Sequence, residues 1–68
     1  MFIGKNILRY RKEKGLTQAK LGALLGVTYQ AVSKWERGKT MPDLFLLPRL
    51  ADVFGCTIDD LFDYKPKA

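Results

Sequence analysis

The chain has 68 residues, 47% hydrophobic and 28% charged, with no histidine and one cysteine. That length provides for one domain, 1–68, with a small core that buries only about 60% of the surface exposed by the unfolded form. No apolar run approaches the roughly 18 residues of a membrane span, the start MFIGKNILRY lacks an apolar signal region, and Cys56 has no internal disulfide partner, so a cytoplasmic setting is expected.

The net charge of +5 is unevenly placed. Residues 1–40 carry nine Lys or Arg against two acids, Glu13 and Glu36, a net of +7, whereas residues 41–68 carry three against five, a net of −2. A basic half of this kind is either a solvated surface or the footprint of a polyanion partner.

Helices are expected at about 3–14, 17–25, 28–37, 43–54 and 57–63, an all-α arrangement. In the first, Ile3, Ile7 and Leu8 form an apolar stripe between basic residues, and Gly15 ends it. Arg11 lies four residues after Ile7, on the inward face, where an unpaired charge is costly. Glu36 is its best partner, because the basic half has only one other acid, Glu13, on the same helix; an Arg11 turned toward phosphate is the competing reading.

Thr17 caps the second helix, in which Leu21, Leu24 and Leu25 recur at helical spacing, and Gly26 closes it in the left-handed conformation. Thr28 caps the third. Ala31, Val32 and Trp35 then share one face, while Tyr29, Gln30, Ser33, Lys34 and Arg37 share the other, and Gly38 closes the helix. Two short helices joined by a glycine turn have helix-turn-helix geometry, which lays the second helix in a DNA major groove. Counted from Gln18, Gly22 is the fifth position, Gly26 the ninth, Val32 the fifteenth and Trp35 the eighteenth. The small residue lets the helices cross closely, the glycine turns the chain, and the two large side chains pin the reading helix to the core.

After the loop Lys39-Thr40-Met41-Pro42-Asp43, Asp43 should cap a fourth helix that runs to Phe54, with Leu44, Leu47, Leu50, Ala51 and Phe54 inward. Pro48, placed in the second turn of such a helix, predicts a distorted or kinked start. Thr57 and Asp60 resemble a capping box opening a fifth helix, with Ile58, Leu61 and Phe62 facing the core, and Tyr64 to Ala68 should fray. Cys56 reads as a small buried or half-buried side chain. Met41, Phe45 and Leu46 form a candidate apolar patch for a second copy of the chain, which Phe62 and Tyr64 could join; plain exposure is the alternative.

The stretches RKEKGLTQAKLGALLGVTYQAVSKWERGKTMPDL and LPRLADVFGCTIDDLF resemble the phage-repressor and Cro-like helix-turn-helix family, often called the Xre family, and the likeness covers residues 3–62. The resemblance implies a compact five-helix, lambda-repressor-like DNA-binding domain, usually dimeric, that reads an inverted-repeat operator in double-stranded DNA and represses or otherwise regulates transcription. It also implies base reading by Tyr29, Gln30 and Lys34, with Thr28 and Ser33 beside them, and phosphate binding by Gln18 and by Lys39 and Thr40 of the loop. Arg11 and Glu36 match a structural ion pair of the family. We place Ser33 with the base readers, and Thr28 and Arg37 with the phosphate contacts. Three positions depart from the pattern: Gly22 where alanine is usual, Pro48 within helix four, and Phe45-Leu46 in place of a commonly polar pair.

Lys34 can donate to guanine and Gln30 can pair bidentately with adenine, whereas Lys39 and Thr40 would position the protein without reading sequence. The competing classes are a protein-interaction module that docks through Met41, Phe45 and Leu46, and an antitoxin or controller that regulates its own operon. An enzyme is the weakest reading: without histidine, paired cysteines or a Gly-rich phosphate loop, no metal, cofactor or small-molecule substrate is expected.

Overall fold

Four short amphipathic helices and one closing turn of helix wrap a single core in the computed structural model, which describes residues 3–65. The order is α1 (Gly4–Glu13), α2 (Gln18–Leu25), α3 (Tyr29–Glu36), a 3-10 turn (Leu44–Leu46), α4 (Leu47–Phe54) and α5 (Ile58–Leu61). No strand occurs among the described residues. α3 packs on both α2 and α1, and α4 packs on α2 and α5.

The core comprises Ile3 and Ile7, Leu21 and Leu25, Val32 and Trp35, then Leu47, Leu50, Ala51 and Phe54 with Leu61. Every helix therefore contributes to one cluster. Tyr10 closes one side by stacking on Phe54, with ring centroids 5.4 Å apart, and the Arg9 guanidinium lies 4.9 Å over its outer face. Burial raises the Tyr10 pKa.

The helix starts are set by local chemistry. Thr17 Oγ1 accepts from Lys20 N–H at 3.0 Å and Thr28 Oγ1 from Ala31 N–H at 3.3 Å, each satisfying an amide that has no intrahelical partner. Thr57 and Asp60 form a reciprocal capping box at the head of α5, both bonds 3.0 Å long. Between α2 and α3 the chain turns at Gly26, whose φ of 75° suits a residue without Cβ.

The fourth helix starts irregularly, as Pro48 predicts, but its α-helical part begins later than expected. Asp43 caps a separate 3-10 turn by accepting from Phe45 N–H at 3.1 Å, and α4 itself begins only at Leu47. Pro48 thus stands in the first turn of α4, where its missing N–H would have had no partner and the carbonyl four residues back lies outside the helix. Because the 3-10 turn winds the chain differently, Leu44 leaves the inward row and is 71% exposed. Ile58, also expected inward, is exposed as well, and so is Leu24 of the leucine row in α2: no neighbouring helix covers those faces. Phe62 follows the end of α5 and packs half-buried on the core.

Two long-range ties went unseen in the sequence. Asn6, the one buried polar residue among those described, donates through Nδ2 to Leu61 O at 2.7 Å and Asp63 Oδ2 at 3.1 Å, fastening α1 to the C-terminal end of α5. Arg49 donates to Leu24 O at 3.1 Å and so holds α4 against the end of α2. The fraying expected from Tyr64 does not extend to its amide, which donates to Asp59 O at 2.9 Å; residues 66–68 of that expectation lie outside the described residues.

Candidate nucleic-acid interface

α3 is held by its apolar face. Val32 is fully buried and Trp35 is 5% exposed, which fixes the rotation of the helix and turns the opposite side outward. On that side Tyr29, Gln30 and Lys34 are exposed and Ser33 is half-exposed. Together with Arg37 they line one shallow depression along the helix. A second depression, lined by Arg11, Thr17, Gln18, Ala19 and Tyr29, runs from the first across the head of α2, so Tyr29 borders both. Gln18 and Ala19, whose amides have no acceptor among the described residues, both line this second depression, at the positive end of the helix dipole.

The rigidity of the arrangement comes from a hydrogen-bonded knot behind it. Arg11 Nε donates to Glu36 Oε2 at 2.6 Å and Arg11 Nη2 to Glu36 Oε1 at 3.1 Å, a two-pronged pair with side chains 12% and 5% exposed. Arg11 Nη1 also donates to Leu16 O at 2.9 Å, and Gln18 Nε2 to Glu36 Oε1 at 2.9 Å. One carboxylate therefore ties α1, the start of α2 and the end of α3 together. Arg11, expected to face either Glu36 or phosphate, is committed to Glu36. The Gln18 bond was not anticipated: eighteen positions of sequence separate the two residues, and only folding brings them together. It leaves Gln18 one free amide hydrogen for an anion.

Beyond α3, Lys39 N–H donates to Lys34 O at 2.9 Å, which folds the loop back on the helix end with Lys39 and Thr40 exposed beside it. Thr28 is exposed too, although its hydroxyl is occupied as the α3 cap. The face and its flanking loop thus combine the cations Lys34, Arg37 and Lys39, in no ion pair among the described residues, with amide, hydroxyl and phenol groups that can donate or accept. Glu36, the acid behind it, is already neutralised by Arg11.

Residues 7–61 match the family model described as "Helix-turn-helix". This chain belongs to the helix-turn-helix family. It is 42% identical over 62 residues to an uncharacterized HTH-type transcriptional regulator of Methanocaldococcus jannaschii, covering 90% of this chain and 94% of that protein. It is 36% identical over 58 residues to the SPbeta prophage-derived uncharacterized HTH-type transcriptional regulator YonR of Bacillus subtilis, covering 85% of this chain and 54% of YonR. The helix-turn-helix chain therefore spans only about half the length of that relative. Among solved structures it is similar to the P22 c2 repressor protein in complex with a synthetic operator, with a TM-score of 0.83 and 36% identity over 90% of this chain and 92% of the other.

On this helix-turn-helix domain the candidate partner patch is split. Met41 and Phe45 are exposed, at 52% and 83%, and Leu44 joins them, while Leu46 packs partly into the protein's own core. Tyr64 is exposed, but Phe62 is half-buried against the same core. Leu46 and Phe62 therefore have less apolar surface to offer a partner than the sequence pattern suggested. Cys56 is half-buried; burial, and then the nearby Asp60 carboxylate, push its thiol above the ordinary range, so it stays protonated near neutral pH.

Proposed function

We propose that this chain is a DNA-binding transcriptional regulator, a repressor acting in the cytoplasm, whose residues 1–68 work as one unit and lay α3 in the major groove of duplex DNA. The observation that carries the reading is the outward polar face of α3, held in place by buried Val32 and Trp35. The likeness to a repressor solved on its operator supports it. Tyr29, Gln30, Ser33 and Lys34 contact base edges: Gln30 suits adenine, Lys34 suits guanine, and Tyr29 can lie on a thymine methyl. Thr28, Lys39, Thr40 and the head of α2 at Gln18 take phosphates, which set orientation rather than sequence.

Two copies read an inverted repeat, their α3 helices roughly 34 Å apart so as to enter successive major grooves. The exposed Met41, Leu44 and Phe45 support this pairing, and they equally favour the second reading, a protein-docking module that no longer binds DNA. Selecting bound duplexes from a random pool tests the proposal. A two-part symmetric site, bound with an affinity that drops steeply with added salt, is the expected result. Failure to retain any duplex at low salt would favour the docking module.

A further inference from the structure

The sequence pattern puts Arg37 with the phosphate contacts, yet in the structure it shares the α3 face with the base-reading candidates. Residues 29, 33 and 37 succeed one another at four-residue steps, and 30, 34 and 37 at steps of four and three, so Arg37 continues both rows of the exposed face by one more turn. It lines the same depression as Tyr29, Gln30, Ser33 and Lys34, which neither Lys39 nor Thr40 does. Its Nε donates to Ser33 O over a long 3.4 Å, which lays the guanidinium back over the preceding turn, above the polar row, instead of out along the loop. The two terminal nitrogens have no hydrogen-bond partner among the described residues. Glu36, the adjacent acid, is taken by Arg11 and Gln18 and does not neutralise it.

From Tyr29 to the C-cap Arg37 the chain rises about 12 Å, comparable to the width of a major groove, so a face of this length can keep its last turn over base pairs. A planar fork of donors fits the paired acceptors O6 and N7 of guanine, which a single ammonium meets less well. We propose that Arg37 reads guanine: its terminal nitrogens contact one guanine in each half-site and set the base preference there. This rests on the duplex-reading function proposed above.

The experiment compares the unaltered protein with Arg37→Ala and Arg37→Lys, both at an exposed position and both checked for helical content, on the duplexes selected from the random pool. The unaltered protein should demand guanine at a position of each half-site distinct from the one whose preference Lys34→Ala relaxes. Both variants should lose that demand, binding the guanine site about tenfold or more weakly while their affinity for duplexes with another base there changes about threefold or less. A uniform loss over all sequences in Arg37→Ala, with the salt slope reduced by about one and affinity restored in Arg37→Lys, would make Arg37 a phosphate contact and overturn the proposal. If the unaltered protein binds no duplex, the function reading itself falls and the role of Arg37 falls with it.

Discussion

Glu36 carries an unusual share of the architecture for one side chain, since it accepts from Arg11 twice and from Gln18 once while almost out of solvent. Truncating it would leave the Arg11 guanidinium facing an interior without a counter-charge. Glu36→Ala should therefore lose about 3–5 kcal/mol of stability, as measured by denaturant unfolding. The exposed lysines should separate by role. Lys34→Ala should cost about 1–3 kcal/mol at one base position and relax the preference there, whereas Lys39→Ala should weaken every duplex alike and lower the salt slope by about one; competition binding across a salt series distinguishes them. Asp60 gives the chain an acid-sensitive cap. The Thr57 backbone N–H, followed by the Thr57 side chain, stabilises its carboxylate and holds its pKa below the ordinary value. A depressed folded pKa means that the cap's contribution is fully present above the ordinary carboxylate range and is lost as pH falls through the lowered value. Asp60→Asn should flatten that part of the acid limb in thermal unfolding scanned over pH.

At the level of elements, the closeness of α2 and α3 depends on one missing methyl group. A Cβ built on Gly22 would lie 2.7 Å from Val27 O, 3.1 Å from Thr28 C and 3.2 Å from Thr28 O, all backbone atoms of the turn that leads into α3. Gly22 O also accepts from Val27 N–H at 2.9 Å, so the turn cannot simply swing away. Gly22→Ala should destabilise the chain by about 1–3 kcal/mol through overpacking and should shift the amide resonances of Val27 to Gln30 more than those of α5. An Ala variant with unchanged stability and unchanged turn resonances would show that the approach is looser than these distances require. The start of α4 illustrates the opposite case, a proline accommodated by an irregular helix start. The chain spends residues 44–46 on a 3-10 turn and starts the α-helix afresh, so the ring never meets a helical carbonyl.

For the molecule as a whole, charge and apolar exposure divide the surface into regions with different tasks. The basic half carries the α3 face, while the turn between α3 and α4 exposes Met41, Leu44 and Phe45 without a cover among the described residues. If that turn supports pairing of two copies, Phe45→Lys should shift the protein toward monomer in sedimentation equilibrium. It should also weaken binding to a two-part site while leaving binding to a single half-site nearly unchanged. Equal losses on both duplexes would instead place Phe45 at the DNA.

The sequence alone determined what depends on residues within about four positions of one another. The threonine caps, the glycine turn at Gly26, the buried pair Val32 and Trp35, and the outward row from Tyr29 to Arg37 all follow from short-range hydrogen bonding and helical periodicity. Arg11 and Glu36 were also legible, because an inward arginine in a segment with two acids leaves few possible partners. Only the tertiary structure decided which apolar faces are covered. Leu24, Leu44 and Ile58 obey the helical pattern or stand beside it, yet remain exposed because burial depends on which helix crosses over them. It likewise decided that Asn6 reaches Leu61 across 55 positions and that Gln18 joins the Glu36 knot, since a hydrogen bond needs its partners within about 3 Å and no local rule brings such distant residues so close.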